Sequence, residues 1–334
     1  MPAREVAGVD IDRGRALGCR RLRDWKSEIM AIERILVPLD GSTLAERALP
    51  YAAMLGRILH ARLELARAVF PNLTREVEPL TEELKVAETA RPALEALAQK
   101  LRTDSLPVTC HVCYGRAAPA IIDCVAQLGV GLIVMSTHGR SGISRWVYGS
   151  VADEILRTAP VPIVLVPSVC ERVWSDHSFG RILVPLDGSP FAEEALGPAS
   201  ELALAAGAEL LLVKLVEIPV SGEVSPYLVV DPEAELVQTR EYLNRVAVDL
   251  RARGLAVDIY AVAGAPPSTL PFLAHERKVD LIAMATHGRG GLARLVLGSV
   301  ATSTVQRSLL PILLTRPAGR GLDSDQSSQP TAVA

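Results

Sequence analysis

The chain has 334 residues, 49% of them apolar but only 4% aromatic, and a net charge of −3. That length suits roughly two domains, with cores built of Ala, Val, Leu and Ile. The charge argues against nucleic acid as a main partner, since a phosphate-backbone binder needs a clustered basic surface, and no apolar run reaches the ~18 residues of a membrane span.

Residues 1–29 have no counterpart later in the chain and hold Arg20-Arg21-Leu22-Arg23 without a clear period. They are charged throughout and lack the apolar core of a signal peptide, so the expected location is cytoplasmic. Met30 stands directly before the first strand and reads as the natural start. Residues 1–30 are therefore expected to be a flexible extension.

The first strand spans 35–39, inside the run Arg34-Ile35-Leu36-Val37-Pro38-Leu39-Asp40-Gly41-Ser42. The run returns as Arg181-Ile182-Leu183-Val184-Pro185-Leu186-Asp187-Gly188-Ser189, 147 residues on. A helix over 42–59 follows, capped by Ser42. In the second copy Ser189 caps and Pro190 takes the first helical position, where its missing N–H does no harm.

Second strands fall at 63–69 and 210–216. Helices near 80–102 and 232–253 follow, then third strands at 108–114 and 257–262 and helices at 117–128 and 266–277. Fourth strands occupy 132–135 and 281–284. Thr137-His138-Gly139-Arg140 with Gly149-Ser150-Val151-Ala152 then returns as Thr286-His287-Gly288-Arg289 with Gly298-Ser299-Val300-Ala301, an offset of 149. A helix and a closing strand, at 163–166 and 312–315, complete each unit.

Strands alternating with helices imply a parallel sheet covered on both faces. The expected fold is α/β: two tandem, doubly wound, five-stranded domains at 31–168 and 179–316. A linker spans 169–178, and 317–334 is a polar tail expected to be disordered. The loops at 70–80 and 217–231 differ most between the halves, which makes them candidate lids or partner contacts.

The five cysteines are Cys19, Cys110, Cys113, Cys124 and Cys170, too few and too uneven for a disulfide framework. Cys110-His111-Val112-Cys113 has the look of a metal site. On a strand, however, positions three apart face opposite ways, and the second half has Ile259 and Val262 there. No metal is expected at it.

The loop from Ser136 through Gly139 to Gly149-Ser150 follows a buried strand and feeds a helix. In an open α/β sheet, ligands bind at the carboxyl ends of the strands. Glycines let backbone N–H groups approach an anion, and the helix start adds unpaired donors and a positive dipole end. Such a loop suits a di- or triphosphate. The same spacing recurs from Ala285 through Gly288 to Gly298-Ser299.

Asp40 and Asp187 end the first strands at the same sheet edge. Each can accept from a ribose or base, or stabilise the turn and helix start. Arg140 and Arg289 can pair with phosphate or face solvent, and Arg145 and Arg294 read as solvent-facing. His138 and His287 can move protons or pack the loop.

Val-Pro-Leu-Asp-Gly-Ser, Thr-His-Gly-Arg, the later Gly-Ser and the closing Pro-Ile-Val-Leu-Val resemble, in that order and twice, the universal stress protein family. The resemblance covers about 31–168 and 179–316. It implies the adenine nucleotide alpha-hydrolase-like fold and an ATP site, with Mg²⁺ as the companion ion. Asp40 and Asp187 would then contact adenosine, and the backbone of Ala68 and Leu215 would meet adenine. Gly139, Arg140, Gly149 and Ser150, with Gly288, Arg289, Gly298 and Ser299, would hold ribose and phosphates. The family's first glycine is replaced in both halves, by Ser136 and by Ala285.

In the family the closing strand mediates dimer formation. An apolar edge strand such as Val161-Pro162-Ile163-Val164-Leu165-Val166 invites pairing. The two halves can therefore dock through it as an intramolecular, pseudo-twofold dimer, with a homodimer as a further option. There is no Gly-x4-Gly-Lys-Ser/Thr loop, no Ser-Gly-Gly-x-Asp-Ser loop and no acid pair beside the glycine loop. The resulting expectation is an ATP-binding stress-response regulator with an unidentified protein partner and slow or no hydrolysis. The alternatives are a nucleotide-free partner-binding module of the same fold and a slow ATPase using His138 or His287.

Overall fold

Apolar runs of four to eight residues form strands in both halves of the chain. The structure is a computed structural model describing residues 32–70, 79–137, 149–170, 174, 179–216, 232–286 and 297–316. In the first half the strands are β1 (Arg34–Pro38), β2 (Arg62–Val69), β3 (Val108–Tyr114), β4 (Leu132–Ser136) and β5 (Ile163–Val166). In the second they are β6 (Arg181–Pro185), β7 (Glu209–Val216), β8 (Val257–Ala263), β9 (Leu281–Ala285) and β10 (Ile312–Thr315).

All ten join one sheet in the order β3-β2-β1-β4-β5-β10-β9-β6-β7-β8. Each half alone is a five-stranded parallel sheet, and the single antiparallel junction among the described strands is β5 against β10. There Val164 faces Leu313, flanked by Leu165 with Ile312 and Ile163 with Leu314. Val164 and Leu313 are repeat equivalents, 149 apart like Thr137 and Thr286. A local twofold axis therefore runs between them. All eight residues of the two strands are buried, Thr315 the least so at 9% exposure. Their apolar character, unusual for an edge, is explained by this interior position.

The helices cover both faces, as continuous apolar strands require. One face carries α2 (Leu49–Leu59), α3 (Pro79–Leu101), α7 (Leu196–Ala206) and α8 (Pro232–Arg251). The other carries α4 (Ala117–Leu128), α5 (Ser150–Thr158), α9 (Pro266–Glu276) and α10 (Ser299–Arg307). The core under each face draws on both halves, meeting at Val164 and Leu313 on one side and Leu165 and Ile312 on the other.

The helix expected over 42–59 is broken. α1 (Thr43–Glu46) stops, and α2 restarts at Leu49. The second half repeats this with α6 (Pro190–Glu193) before α7. Pro50 and Pro198 cause the break. Each lacks an N–H and its ring clashes with the carbonyl four residues back, at Glu46 or Glu194. The turns between close instead with tighter bonds, such as Ala48 N to Ala45 O (3.2 Å) and Ala195 N to Ala192 O (3.3 Å).

The described part of the link between halves is built into the core. Trp174 is 4% exposed and meets Tyr51 and Phe179 edge-on, with ring centroids 5.0 and 4.7 Å away. Its Nε1 donates to Asp280 O (3.2 Å). Tyr51 Oη lies 3.1 Å from Cys170 Sγ. Burial pushes the Tyr51 hydroxyl above its usual range. A residue of the link thus touches helix α2 of one half and the strand entry of the other.

Glu201 on α7 makes another contact between halves, accepting from Ile32 N at 2.9 Å. Burial raises its pKa, and that backbone bond only partly offsets the rise. The native state therefore binds this proton more tightly than the unfolded chain does. The penalty is present above the native pKa and disappears as pH falls through it. Glu201→Gln keeps the acceptor and removes the charge. Its melting temperature should exceed the parent's at pH 7, and scanning calorimetry should show the difference closing as pH falls through the carboxylate range.

Candidate functional site

β1 pairs with β2 along its length, from Arg34 with Arg62 to Pro38 with Ala66. It pairs with β4 only at Ile35 with Leu132 and Leu36 with Ile133. Beyond that point the two strands run on without pairing. β6 and β9 pair just as briefly, at Ile182 with Leu281 and Leu183 with Ile282. These are the places where the strand order reverses, and in an open α/β sheet the ligand crevice lies at such a place, outside the carboxyl ends of the strands.

Asp40 and Asp187 stand on one side of each crevice. Ser42 N donates to Asp40 Oδ1 (2.9 Å) and Ser189 N to Asp187 Oδ1 (2.8 Å). The carboxylates therefore brace the turn, and each is half-buried, so the turn-stabilising role is occupied in both halves. Ser42 Oγ and Ser189 Oγ then accept from Ala45 N and Ala192 N (3.1 and 3.2 Å), capping α1 and α6. Gly41 between them has φ +83°, a conformation natural to glycine. A Cβ there would also sit 3.0 Å from the Arg67 guanidinium.

β2 borders the crevice through its backbone. The last bond from the first strand runs from Leu39 N to Ala66 O (2.7 Å), after which that chain turns away. Backbone groups alternate sides along a strand, so those of Ala68 face the same way as those of Ala66. The second half repeats this with Leu186 N on Val213 O (2.7 Å) and Leu215.

Across the crevice stand the ends of β4 and β9. Gly149 N donates to Thr137 O (3.1 Å) and Gly298 N to Thr286 O (2.7 Å), so the two ends of each glycine loop are tied together. Gly149 and Gly298 are the N-caps of α5 and α10 and, being glycines, make no side-chain cap bond of their own. Ser150 and Ser299, the first helical residues, are exposed. Backbone donors and a positive dipole end are thereby left facing the loop.

The two sites differ. Ser136 Oγ is buried with no hydrogen-bond partner among the described residues, and the same holds for Thr315 Oγ1. Ser136 corresponds to Ala285, and Thr315 pairs with Ala285 on the neighbouring strand. Each half therefore keeps one orphaned hydroxyl, on β4 in the first half and on β10, one strand beyond β9, in the second. The first turn of α5 carries Asp153, which pairs with Arg157 (3.1 Å), whereas α10 has no acid there.

Asp40, Ala68, Ser136, Gly149 and Ser150 thus come to the ends of three adjacent strands, as do Asp187, Leu215, Ala285, Gly298 and Ser299. His138, Gly139, Arg140, Arg145, His287, Gly288, Arg289 and Arg294 lie outside the described residues, as do 71–78 and 217–231. Sequence reasoning missed Arg67 and its repeat equivalent Lys214, which reaches Thr239 Oγ1 (3.2 Å). Two basic residues at matching positions of the two second strands were the available signal. It also missed Glu64, 1% exposed on β2, where His111 Nε2 and Arg34 Nη1 reach the carboxylate at 2.8 and 3.5 Å. The second half has Leu211 there. Cys110 and Cys113 do face opposite ways, one packed on each core.

A sequence model described as "Universal stress protein family" matches residues 31–167 and again 178–316. The chain belongs to the universal stress protein family. A universal stress protein of Mycobacterium tuberculosis H37Rv is 26% identical over 238 residues, covering 69% of this chain and 75% of its own. One from Mycolicibacterium smegmatis is 25% identical over 292 residues, covering 85% and 97%. Among solved structures, universal stress proteins from Pseudomonas aeruginosa and Archaeoglobus fulgidus superpose with TM-scores of 0.62 and 0.61. The first is 20% identical over 86% of this chain and 94% of that one; the second is 21% identical over 85% and 96%. At that identity they bear on the fold alone, which they share with this tandem family member. Among the described residues, no helix is long and apolar enough to cross a membrane.

Proposed function

We propose that the chain binds ATP, with Mg²⁺ carried on the phosphates, at both crevices and works as a nucleotide-dependent regulator with slow or no hydrolysis. The observation that carries this is the uncapped start of α5 and α10 beside a loop tied at both ends, present in both halves. The orphaned Ser136 hydroxyl supports the fit of a polar ligand in the first crevice, since a buried hydroxyl without a partner costs free energy that a ligand group can relieve.

In this reading the backbone edge of Ala68 or Leu215 takes the adenine. The carboxylate of Asp40 or Asp187, held in place by its turn bond, accepts from the ribose. The N–H groups around Gly149 and Ser150, or Gly298 and Ser299, hold the phosphates, with Gly139, Arg140, Gly288 and Arg289 in the same role. The junction of β5 and β10 makes the chain its own pseudo-dimer, with the two sites related by the local axis.

Protein purified without added nucleotide, denatured and chromatographed, should release adenine nucleotide. The emptied protein should melt higher with millimolar ATP and Mg²⁺. Neither result appearing would overturn the reading. Asp153 places a negative charge in the first turn of α5, which disfavours phosphate by about 0.3–1 kcal/mol. Asp153→Asn should tighten the first site roughly two- to fivefold and leave the second unchanged, as read by calorimetric titration.

A second reading is a partner-binding module without nucleotide. Phe70 and Tyr114 favour it, at 63% and 52% exposure on neighbouring strand ends of the first half. A stable protein complex with a melting curve indifferent to ATP would support it.

A further inference from the structure

β3 and α4 bring two thiols of the first half together. Cys113 Sγ lies 3.0 Å from Cys124 Sγ, both at the second core face. Their repeat equivalents are Val262 and Leu273, so the pair belongs to the first half alone. Cys110 points to the other face, where burial pushes its thiol up to about 11. Cys170 meets the Tyr51 hydroxyl. β3 is the outer strand of the sheet, and Cys113 is partly exposed there while Cys124 is 8% exposed beside it.

We propose that Cys113 and Cys124 are an oxidisable pair that closes to a disulfide under peroxide, stapling α4 to β3. A disulfide holds its sulfurs at about 2.05 Å, so an approach of about 1 Å completes it. The contact between the two sulfurs holds Cys124 below the usual thiol range and Cys113 above it. The thiolate is the nucleophile. Cys124 gives up its proton, its thiolate attacks a peroxide oxygen, the O–O bond breaks, and the hydroxide that leaves takes up that proton to become the first water. Cys113 sulfur then attacks the resulting sulfenic acid, forming the S–S bond. The displaced hydroxide takes up the Cys113 proton and leaves as water. In sum, two thiols and one hydrogen peroxide give one disulfide and two waters. Because Cys113 pairs in register with Ala68, the staple would lie beside the first crevice. That consequence rests on the nucleotide reading; the disulfide itself does not.

The test uses the full chain, treated with hydrogen peroxide, then unfolded, alkylated and digested with trypsin. Cleavage after Arg102, Arg116 and Arg140 separates peptide 103–116 from 117–140. The two should be recovered linked, two hydrogens lighter than their sum, and separate on reduction with dithiothreitol. The link should persist in Cys110→Ser and vanish in Cys113→Ser and Cys124→Ser. Recovery of 117–140 with Cys124 alkylated in the peroxide-treated parent would overturn the proposal, and that readout needs no variant to fold. A link that survives Cys113→Ser would overturn it too.

Discussion

Leu313→Asp should lose most of its native stability. Leu313 is fully buried and faces Val164, itself fully buried, at the local axis. An aspartate there loses the apolar contacts of leucine, worth about 2–5 kcal/mol. It also leaves a carboxylate in a site with only apolar neighbours on the facing strand, which costs several kcal/mol more. The whole fold of an ordinary domain rests on about 5–15 kcal/mol. A urea titration followed by circular dichroism should therefore show the midpoint collapse. Leu309→Asp is the control, because Leu309 is 63% exposed and a change there stays within about 0.5 kcal/mol. A Leu313→Asp chain that melts like its parent would mean that the two halves do not share this strand pair.

Gly149→Asp and Gly298→Asp should each remove one nucleotide site while leaving the fold intact. Both glycines are N-caps with negative φ, −57° and −62°, which aspartate accepts without strain. Aspartate is also a better N-cap than glycine, by a few tenths of a kcal/mol. The variants should therefore melt no lower than the parent. Their carboxylate would occupy the helix-start donors and repel a phosphate at close range. At an effective dielectric of about 20 such repulsion reaches about 4 kcal/mol at 4 Å, so a loss of at least about 100-fold in affinity is expected at the altered site. Titration calorimetry should find one remaining equivalent in each single variant and none in the double variant.

Much of this was legible in the sequence because the repeat reports twice on each element. The strand positions, the tandem sheets and the capping roles of Ser42 and Ser189 rest on local chemistry that one segment carries by itself. The break in the helix over 42–59 was also written locally, in Pro50 and Pro198. Periodic apolar residues on both sides of the prolines masked it. Glu64 with His111, Trp174 with Tyr51, and Glu201 with Ile32 were not legible, since each joins segments far apart in the chain. The brief pairing of β1 with β4, which opens the crevice, is likewise a property of the assembled sheet. For the candidate site, the strand ends at which Asp40, Asp187, Ser136 and Ala285 stand follow from the apolar runs that precede them. The sequence left open whether Asp40 and Asp187 brace the turn, and it did not disclose that the hydroxyls of Ser136 and Thr315 are buried without a partner among the described residues.

The most direct measurement is a calorimetric titration of nucleotide-stripped full-length protein with ATP and Mg²⁺. Two doubly wound halves with matching, uncapped helix starts predict two equivalents bound per chain, the second half holding its nucleotide more tightly because α10 lacks the acid that α5 carries. Absence of binding heat, together with a melting temperature unmoved by ATP, would contradict it.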